Sequence, residues 1–366
     1  MALESPLRVE HEKAGAQLAV YFDCLLPERF TDLGAEYRQA RETVALVDTN
    51  YRAFVYLQGP DRARYLNAML TNNVKDLAPG QGGVSLLLNP QGHILAEIET
   101  YALEDCLLAV FHAVVRERTV ATLEKLIIMD DVTLDDATEK TASLLLIGPQ
   151  AAKVVGETAG IEPQKQDYSH VEVAVEGIPC RVVRRLLSGH SSAELFVARE
   201  AIHDLWEAML EAVRARGGGP IGYAALNVLR LEAGVPWFGY DFDDKAIPHE
   251  AALEATHVSY TKGCYTGQEI VERVRSRGHV NRRRVGLQFS GASAPDRGAK
   301  LFAAGQEAGY VTSAAYSPAL ERAIGMAYIR REHNTPGSHL EWGGGEAEVI
   351  ELPLTGLKTT LGQLAT

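Results

Sequence analysis

The stretch Lys262-Gly263-Cys264-Tyr265-Thr266-Gly267-Gln268-Glu269 decides how the rest of the chain is read. Thr266 and Glu269 stand at the spacing of a capping box, in which the threonine hydroxyl accepts from the N–H three residues on while the glutamate reaches back. A helix is therefore expected to start here. Ile270, Val271 and Val274 would form its buried face, Glu269 and Arg273 an ion pair on its outer face, and Gly278 its stop. Cys264 lies two residues ahead of that cap, where unpaired N–H groups, the positive end of the helix dipole and Lys262 favour a thiolate. On residue type alone, a lone cysteine is more often a small packing residue at a glycine-flanked turn.

Downstream, Arg273, Arg275, Arg277, Arg282, Arg283 and Arg284 crowd together with His279 in a chain whose net charge is -12. That acidic balance disfavours non-specific nucleic-acid binding over the whole surface and leaves the arginine run as a local patch. The 366 residues, 46% of them hydrophobic, suffice for two or three domains with real cores. No stretch approaches the ~20 apolar residues of a membrane helix, and Met1-Ala2-Leu3-Glu4-Ser5 lacks the order of a signal peptide. A soluble, cytoplasmic protein without membrane contact is expected. Cys24, Cys106, Cys180 and Cys264 lie far apart with no Cys-x-x-Cys pair, so neither a metal cage nor a disulfide framework is expected.

An amphipathic helix is expected near the N-terminus. Ala53–Gln58 then reads as a strand, Gly59-Pro60-Asp61 as a turn and Asp61–Leu70 as a helix. Leu86–Leu88, His93–Tyr101 and Cys106–Phe111 look like successive antiparallel strands, Val115–Met129 like a helix and Leu144–Ile147 like a strand. The segments Val171–Val175 and Cys180–Val183 read as strands joined by Glu176-Gly177, and Ala201–Arg216 and Tyr223–Ala233 as helices. Without a steady βαβ rhythm, the pattern points to an α+β fold. Beyond Asn281 short strands alternate with glycine, proline and serine turns, as in a small barrel or sandwich. The expected domains are residues 1–281 and 282–366.

The octapeptide resembles the signature of the YgfZ-like branch of the glycine cleavage T-protein superfamily, in which this cysteine is tied to function. Phe54–Gly59, Leu70–Val74, Asn89–Gly92, Leu229–Gly234, Arg284–Leu287, Gly309–Ser313 and Ser317-Pro318 fall in the order found in T-protein-like sequences. The resemblance covers nearly the whole chain. It implies two interwoven subdomains that bind tetrahydrofolate, or a one-carbon-substituted folate, followed by a C-terminal β-barrel. A pterin ring presents adjacent N–H donors that match the two oxygens of a carboxylate. T-proteins supply that carboxylate at the end of a run matched here by Leu186–Glu194, which makes Glu194 the candidate reader; an exposed strand-edge acid is its plainer alternative.

T-proteins position the reacting folate nitrogens with an Asp in a run matched here by Gly92–Glu97, where Ala96 and Glu97 replace an Asp pair. Glu97 is the candidate catalytic carboxylate, one methylene longer, with an outward-facing strand residue as the alternative. Leu226-Asn227 stands where T-proteins carry Arg-Asp, and Glu232 is either a cavity residue or a helix-surface acid. The signature residues Lys262, Gly263, Tyr265, Gly267, Gln268 and Glu269 are carried over with Cys264. Arg273, Arg275 and Arg277 would attract the glutamate tail of folate, an acidic partner or an RNA backbone, or simply form a solvated face.

The resemblance implies first an accessory protein for iron-sulfur cluster assembly or repair, acting through Cys264 on client proteins. Three or four convergent thiolates are missing, so no cluster would be held stably. The alternative is an aminomethyltransferase taking its one-carbon unit from a lipoyl carrier protein, and a further one is a folate-dependent tRNA-modifying protein. A monomer is expected.

Overall fold

The computed structural model describes residues 2–162, 166–187 and 190–353, with the side chains at 186, 187, 190, 191 and 277 outside that description. The chain forms two compact units, Met1–Ser85 with Ala96–Leu226, and Leu86–Leu95 with Asn227–Thr366.

The first unit is built on two sheets. One runs in the order Gly82–Leu88, Ile94–Ala102, Leu107–His112, Arg52–Gln58, Thr133–Asp136. The other runs His170–Val175, Ile178–Leu187, His190–Ala198, Thr141–Ile147, Ala45–Asp48, Gly219–Pro220. Strand alternation sends Phe54, Tyr101, Leu108 and Val110 of the first sheet against Val183 and Phe196 of the second, all of them buried. The helix Ile202–Arg214 shows why it forms where it does: Ile202, Leu205, Trp206, Met209 and Val213 recur every three to four residues and pack on Leu46, Leu144, Leu146 and Leu195. Fully burying each such side chain is worth roughly 1.5–3 kcal/mol.

The N-terminal region holds more than a helix. A three-stranded sheet, Leu3–Glu4, Cys24–Arg29 and Gln17–Tyr21, accompanies the helices Arg8–Lys13 and Leu33–Glu42. Glu36 is fully buried on the second helix and accepts from the backbone N–H groups of Phe30 (2.6 Å), Thr31 (2.7 Å) and Gly222 (2.8 Å). One carboxylate thus terminates two otherwise unpaired stretches of backbone.

The helix expected to reach Met129 is shorter, Arg116–Lys125, and Ile128 and Met129 lie exposed beyond it. Tertiary anchors end it: Asp130 pairs with Arg64 at 2.7 Å, and the Asp131 N–H donates to Asp61 at 2.9 Å. The other helices expected downstream occur at Ile202–Arg214 and Tyr223–Glu232.

In the second unit a closed six-stranded barrel runs Arg282–Phe289, Arg322–Arg330, Gln306–Ser317, Lys300–Ala303, His339–Trp342, Gly345–Ile350, and the last strand pairs with the first. Leu287, Phe289, Ala327, Ile329, Ala347 and Val349 point inward at alternate positions. The α+β reading with a terminal barrel therefore holds. Beside the barrel, Arg230 is ion-paired with the buried Asp241, which also accepts from the Thr312 hydroxyl at 2.6 Å.

Glu36→Ala leaves the buried Gly222 N–H without a partner, together with the partly exposed N–H groups of Phe30 and Thr31, and the buried one alone costs about 1–3 kcal/mol. Urea denaturation is expected to show a loss of about 1–3 kcal/mol at unchanged m-value.

Candidate functional site

Four charged side chains meet between the two sheets of the first unit. Arg52 opens the strand Arg52–Gln58, Glu99 sits on Ile94–Ala102, Arg185 on Ile178–Leu187, and Glu194 on His190–Ala198. Glu99 Oε2 accepts from Arg52 Nη2 and Arg185 Nη1, both at 2.5 Å, and from the Tyr101 hydroxyl at 2.7 Å. Glu194 Oε2 accepts from Arg185 Nη1 at 3.1 Å and lies 3.4 Å from Arg52 Nη1. The Arg185 guanidinium also covers the Tyr168 ring at 5.2 Å. These side chains are 2–10% exposed, so solvent screens them little.

The two carboxylates are not equivalent. Burial pushes both up, but at Glu99 the guanidinium groups of Arg185 and Arg52 and the Tyr101 hydroxyl outweigh it and hold the acid at about 2. At Glu194 burial prevails over the same two arginines, and the neighbouring Glu99 charge adds to it, so its pKa rises. Glu194 Oε1 is buried with no hydrogen bond of ordinary geometry. One oxygen of this carboxylate is therefore held by arginine and the other, near the Thr49 hydroxyl, lacks a hydrogen bond of ordinary geometry, a state that suits a ligand bringing its own N–H donors.

Glu194 sits on an interior strand, between Ile178–Leu187 and Thr141–Ile147, and is 2% exposed. The strand-edge alternative fails. Ser188 and Gly189 of the run leading to it lie outside the described residues. Glu97 is half-buried on the same strand as Glu99. Burial brings His112 down to about 4, with the Glu97 carboxylate opposing that fall. His112 stands in a ring cluster with Phe22 (4.9 Å) and Tyr51 (5.0 Å), and Tyr51 precedes Arg52 in sequence.

The remaining candidates belong to the second unit. Glu232 is fully buried and accepts from the Ser317 hydroxyl, so it is no surface acid. The motif helix starts one residue later than expected, at Gln268, with Gly267 rather than Thr266 at its cap and no side-chain cap bond. The cause is Gly267 itself, whose φ of 82° turns the chain and whose missing Cβ would stand 2.7 Å from the Asn89 carbonyl oxygen. Val271 is buried while Ile270 and Val274 are half-buried, and Gly278 ends the helix in the left-handed region as expected. An ion pair on this helix joins Arg275 to Glu272 (3.5 Å) instead of Glu269 to Arg273. Glu269 and Arg273 are exposed, and the side chain of Arg277 lies outside the described residues.

Cys264 is exposed, unlike Cys24, Cys106 and Cys180, which are buried. Gly263 is exposed, and Gln268 half-buried. Lys262 Nζ lies 5.2 Å from the centre of the Tyr265 ring, and burial lowers its pKa to about 8. Among the described residues, no group of three His, Cys, Asp or Glu side chains is placed to hold a metal ion. Sequence reasoning missed Arg52, Glu99 and Arg185. Glu99 carried a signal, since it shares one strand face with Glu97, but nothing local marked the arginines.

Comparison with known proteins gives consistent matches. The family model described as the GCVT N-terminal domain matches residues 7–262, and that of the glycine cleavage T-protein C-terminal barrel domain matches residues 282–354. The chain is 31% identical to an aminomethyltransferase of Rubrobacter xylanophilus over 329 residues, 90% of this chain and 87% of that protein. It is 28% identical to an aminomethyltransferase of Desulforamulus reducens, over 89% of each. The crystal structure of the glycine cleavage system aminomethyltransferase T from Bartonella henselae superposes with a TM-score of 0.88 at 26% identity, covering 96% of this chain and 98% of that one.

His112 and His170 both titrate near 4 in the folded chain, chiefly through burial, against 6.5 in the open chain. A lowered folded value contributes stability that is complete above pH 6.5 and drains away as pH falls towards 4. Glu99, lowered from 4.5 to about 2, extends the loss below pH 4.5. Thermal melts should therefore lose midpoint in two acid stages, partly offset by Glu194, whose pKa is raised, and His112→Gln should reduce the upper one to the share that His170 contributes.

Proposed function

The chain belongs to the glycine cleavage T-protein family, and on that footing we propose that it is a tetrahydrofolate-dependent aminomethyltransferase in which Glu194 reads the pterin ring. The observation that carries this is the state of Glu194: a buried carboxylate, one oxygen held by Arg185, the other with no hydrogen bond of ordinary geometry beyond the influence of the Thr49 hydroxyl. A ligand offering paired N–H groups removes that deficit, and a hydrogen bond to a charged group contributes about 1.5–3 kcal/mol.

Tetrahydrofolate, when bound, supplies the two nitrogens that take the methylene carbon of an aminomethylated lipoyl thiol, with ammonia and the free thiol leaving. The chain's own residues do the rest. Arg52 and Arg185 fix the Glu194 carboxylate in orientation, and Glu99 neutralises them so that Glu194 is not fully consumed as their counter-ion. Glu97, half-buried on the neighbouring part of the Glu99 strand, is the proton acceptor at the transfer step in this reading. Its longer side chain is accommodated only where the strand places it, and a displacement of ~1 Å costs on the order of a hundredfold. The names of the relatives favour this transferase over a role in iron-sulfur cluster assembly.

A second reading rests on Cys264. Its exposed thiol, in an octapeptide resembling the YgfZ-like signature, fits an accessory protein that works on a partner rather than on a lipoyl arm.

Titration of the purified chain with tetrahydrofolate is expected to saturate, and Glu194→Ala to weaken binding by about 10–100-fold. Ammonia release from aminomethylated lipoyl carrier protein should proceed at roughly 1 s⁻¹ or faster, collapse in Glu97→Ala and survive in Cys264→Ala. No turnover, together with loss of iron-sulfur enzyme activity in cells carrying Cys264→Ala, would instead establish the second reading.

A further inference from the structure

Thr49 and Arg52, two of the groups that act on Glu194, stand on the turn between the strands Ala45–Asp48 and Arg52–Gln58. Asp48 ends the first of these strands, 1% exposed, and its two carboxylate oxygens face different partners. Oδ1 accepts from the Asn50 N–H at 2.9 Å and from Asn50 Nδ2 at 2.7 Å, which closes the turn on itself. Oδ2 accepts from the Ser5 hydroxyl and lies 2.7 Å from His11 Nε2. The Asp48 carbonyl accepts from the Tyr223 hydroxyl at 2.7 Å. Bonding continues along the turn: Asn50 Oδ1 accepts from the Ser143 N–H at 3.0 Å, and the Thr49 and Ser143 hydroxyls are 2.8 Å apart.

Ser5 and His11 come from the N-terminal segment and are buried, and the His11 ring is held edge-on by Trp206 (4.9 Å) and Phe30 (5.5 Å). The Ser5 hydroxyl also accepts from the Leu7 N–H at 3.1 Å, which ties the start of the helix Arg8–Lys13 to the same carboxylate. Burial opposes a charge on Asp48, but His11, Ser5 and the Asn50 N–H outweigh it and hold the acid below its ordinary value. A buried charge met by a histidine, a hydroxyl and an amide adds little net stability. What such a network supplies is one defined geometry. That geometry reaches Glu194 directly: the Thr49 hydroxyl works against the rise that burial imposes on the Glu194 pKa, and Arg52 bridges Glu194 to Glu99. A displacement of ~1 Å in groups of this kind costs on the order of a hundredfold.

We propose that Asp48 is a positioning residue for the folate site: with Ser5 and His11 it fixes the turn that presents Thr49 and Arg52 to Glu194, so that the N-terminal segment acts on tetrahydrofolate affinity through that carboxylate. The inference rests on the reading of Glu194 as the group that binds the pterin ring.

Calorimetric titration of the full chain with tetrahydrofolate, with melting temperatures taken in parallel, tests it in Asp48→Asn and Ser5→Ala. The control is Val154→Ala, a buried core variant on the helix Ala151–Ala159 that removes no bond of this network. Asp48→Asn should weaken binding by about tenfold or more and Ser5→Ala by about threefold or more. Val154→Ala should lower the melting temperature and leave the dissociation constant at its wild-type value. Thr49→Val removes a hydroxyl through which the effect passes, so in that background either variant should weaken binding by a distinctly smaller factor. Should Asp48→Asn not fold, Ser5→Ala and its cycle with Thr49→Val decide. The inference is overturned if the folded variants bind as tightly as the wild type, if Val154→Ala weakens binding equally at a matched loss of melting temperature, or if the effects of Thr49→Val and the network variants simply multiply. A wild-type chain that does not bind tetrahydrofolate overturns the reading of Glu194 and this inference with it, whereas saturable wild-type binding with unchanged variants overturns this inference alone.

Discussion

The ion cluster of Arg52, Glu99, Arg185 and Glu194 is the constraint on which the first unit depends. Two positive and two negative charges are almost sealed from water, so no one of them can be removed without leaving a buried charge unmet. The four come from four strands in two sheets. Because side chains alternate, a slip of one residue in any of these strands would turn its charge to the opposite face and its apolar neighbours with it. The cluster thereby fixes register as well as charge. The apolar belt of Phe54, Tyr101, Val183 and Phe196 around it keeps water out and makes the fixed dipoles effective.

Legibility followed distance along the chain. The helix Ile202–Arg214 was visible because its apolar residues repeat at helical spacing, and the barrel because its strands and turns follow one another locally. Glu194 and Glu97 became candidates only by likeness to T-protein runs, since a single acid in a strand has no signature of its own. Arg52 and Arg185 were not found at all. They are 47 and 86 residues from Glu99, and no local pattern announces a partner at that range. The capping box illustrates the converse failure, where a sound local pattern yields to tertiary contact: the close approach of Gly267 to Asn89 moves the helix start past Thr266.

The octapeptide itself has two chemical faces. Tyr265 is 7% exposed and receives the Lys262 ammonium over its ring, while Cys264, one residue away, is open to solvent. With Lys262 lowered to about 8 by burial, this amine gives up its charge more readily than a solvated lysine. An exposed thiol near this amine is thus offered outward, and the rest of the motif serves to hold that turn.

The barrel closes by pairing its first strand, Arg282–Phe289, with its last, Gly345–Ile350. During synthesis the first strand emerges long before its final neighbour, and at ribosomal rates of roughly 5–20 residues per second it waits for several seconds with one edge unpaired. A chain stalled in that interval would offer a row of free N–H and C=O groups to any other nascent strand. Closure removes that exposure, which makes the interval before Gly345–Ile350 emerges, rather than the finished fold, the vulnerable stage in the life of this molecule.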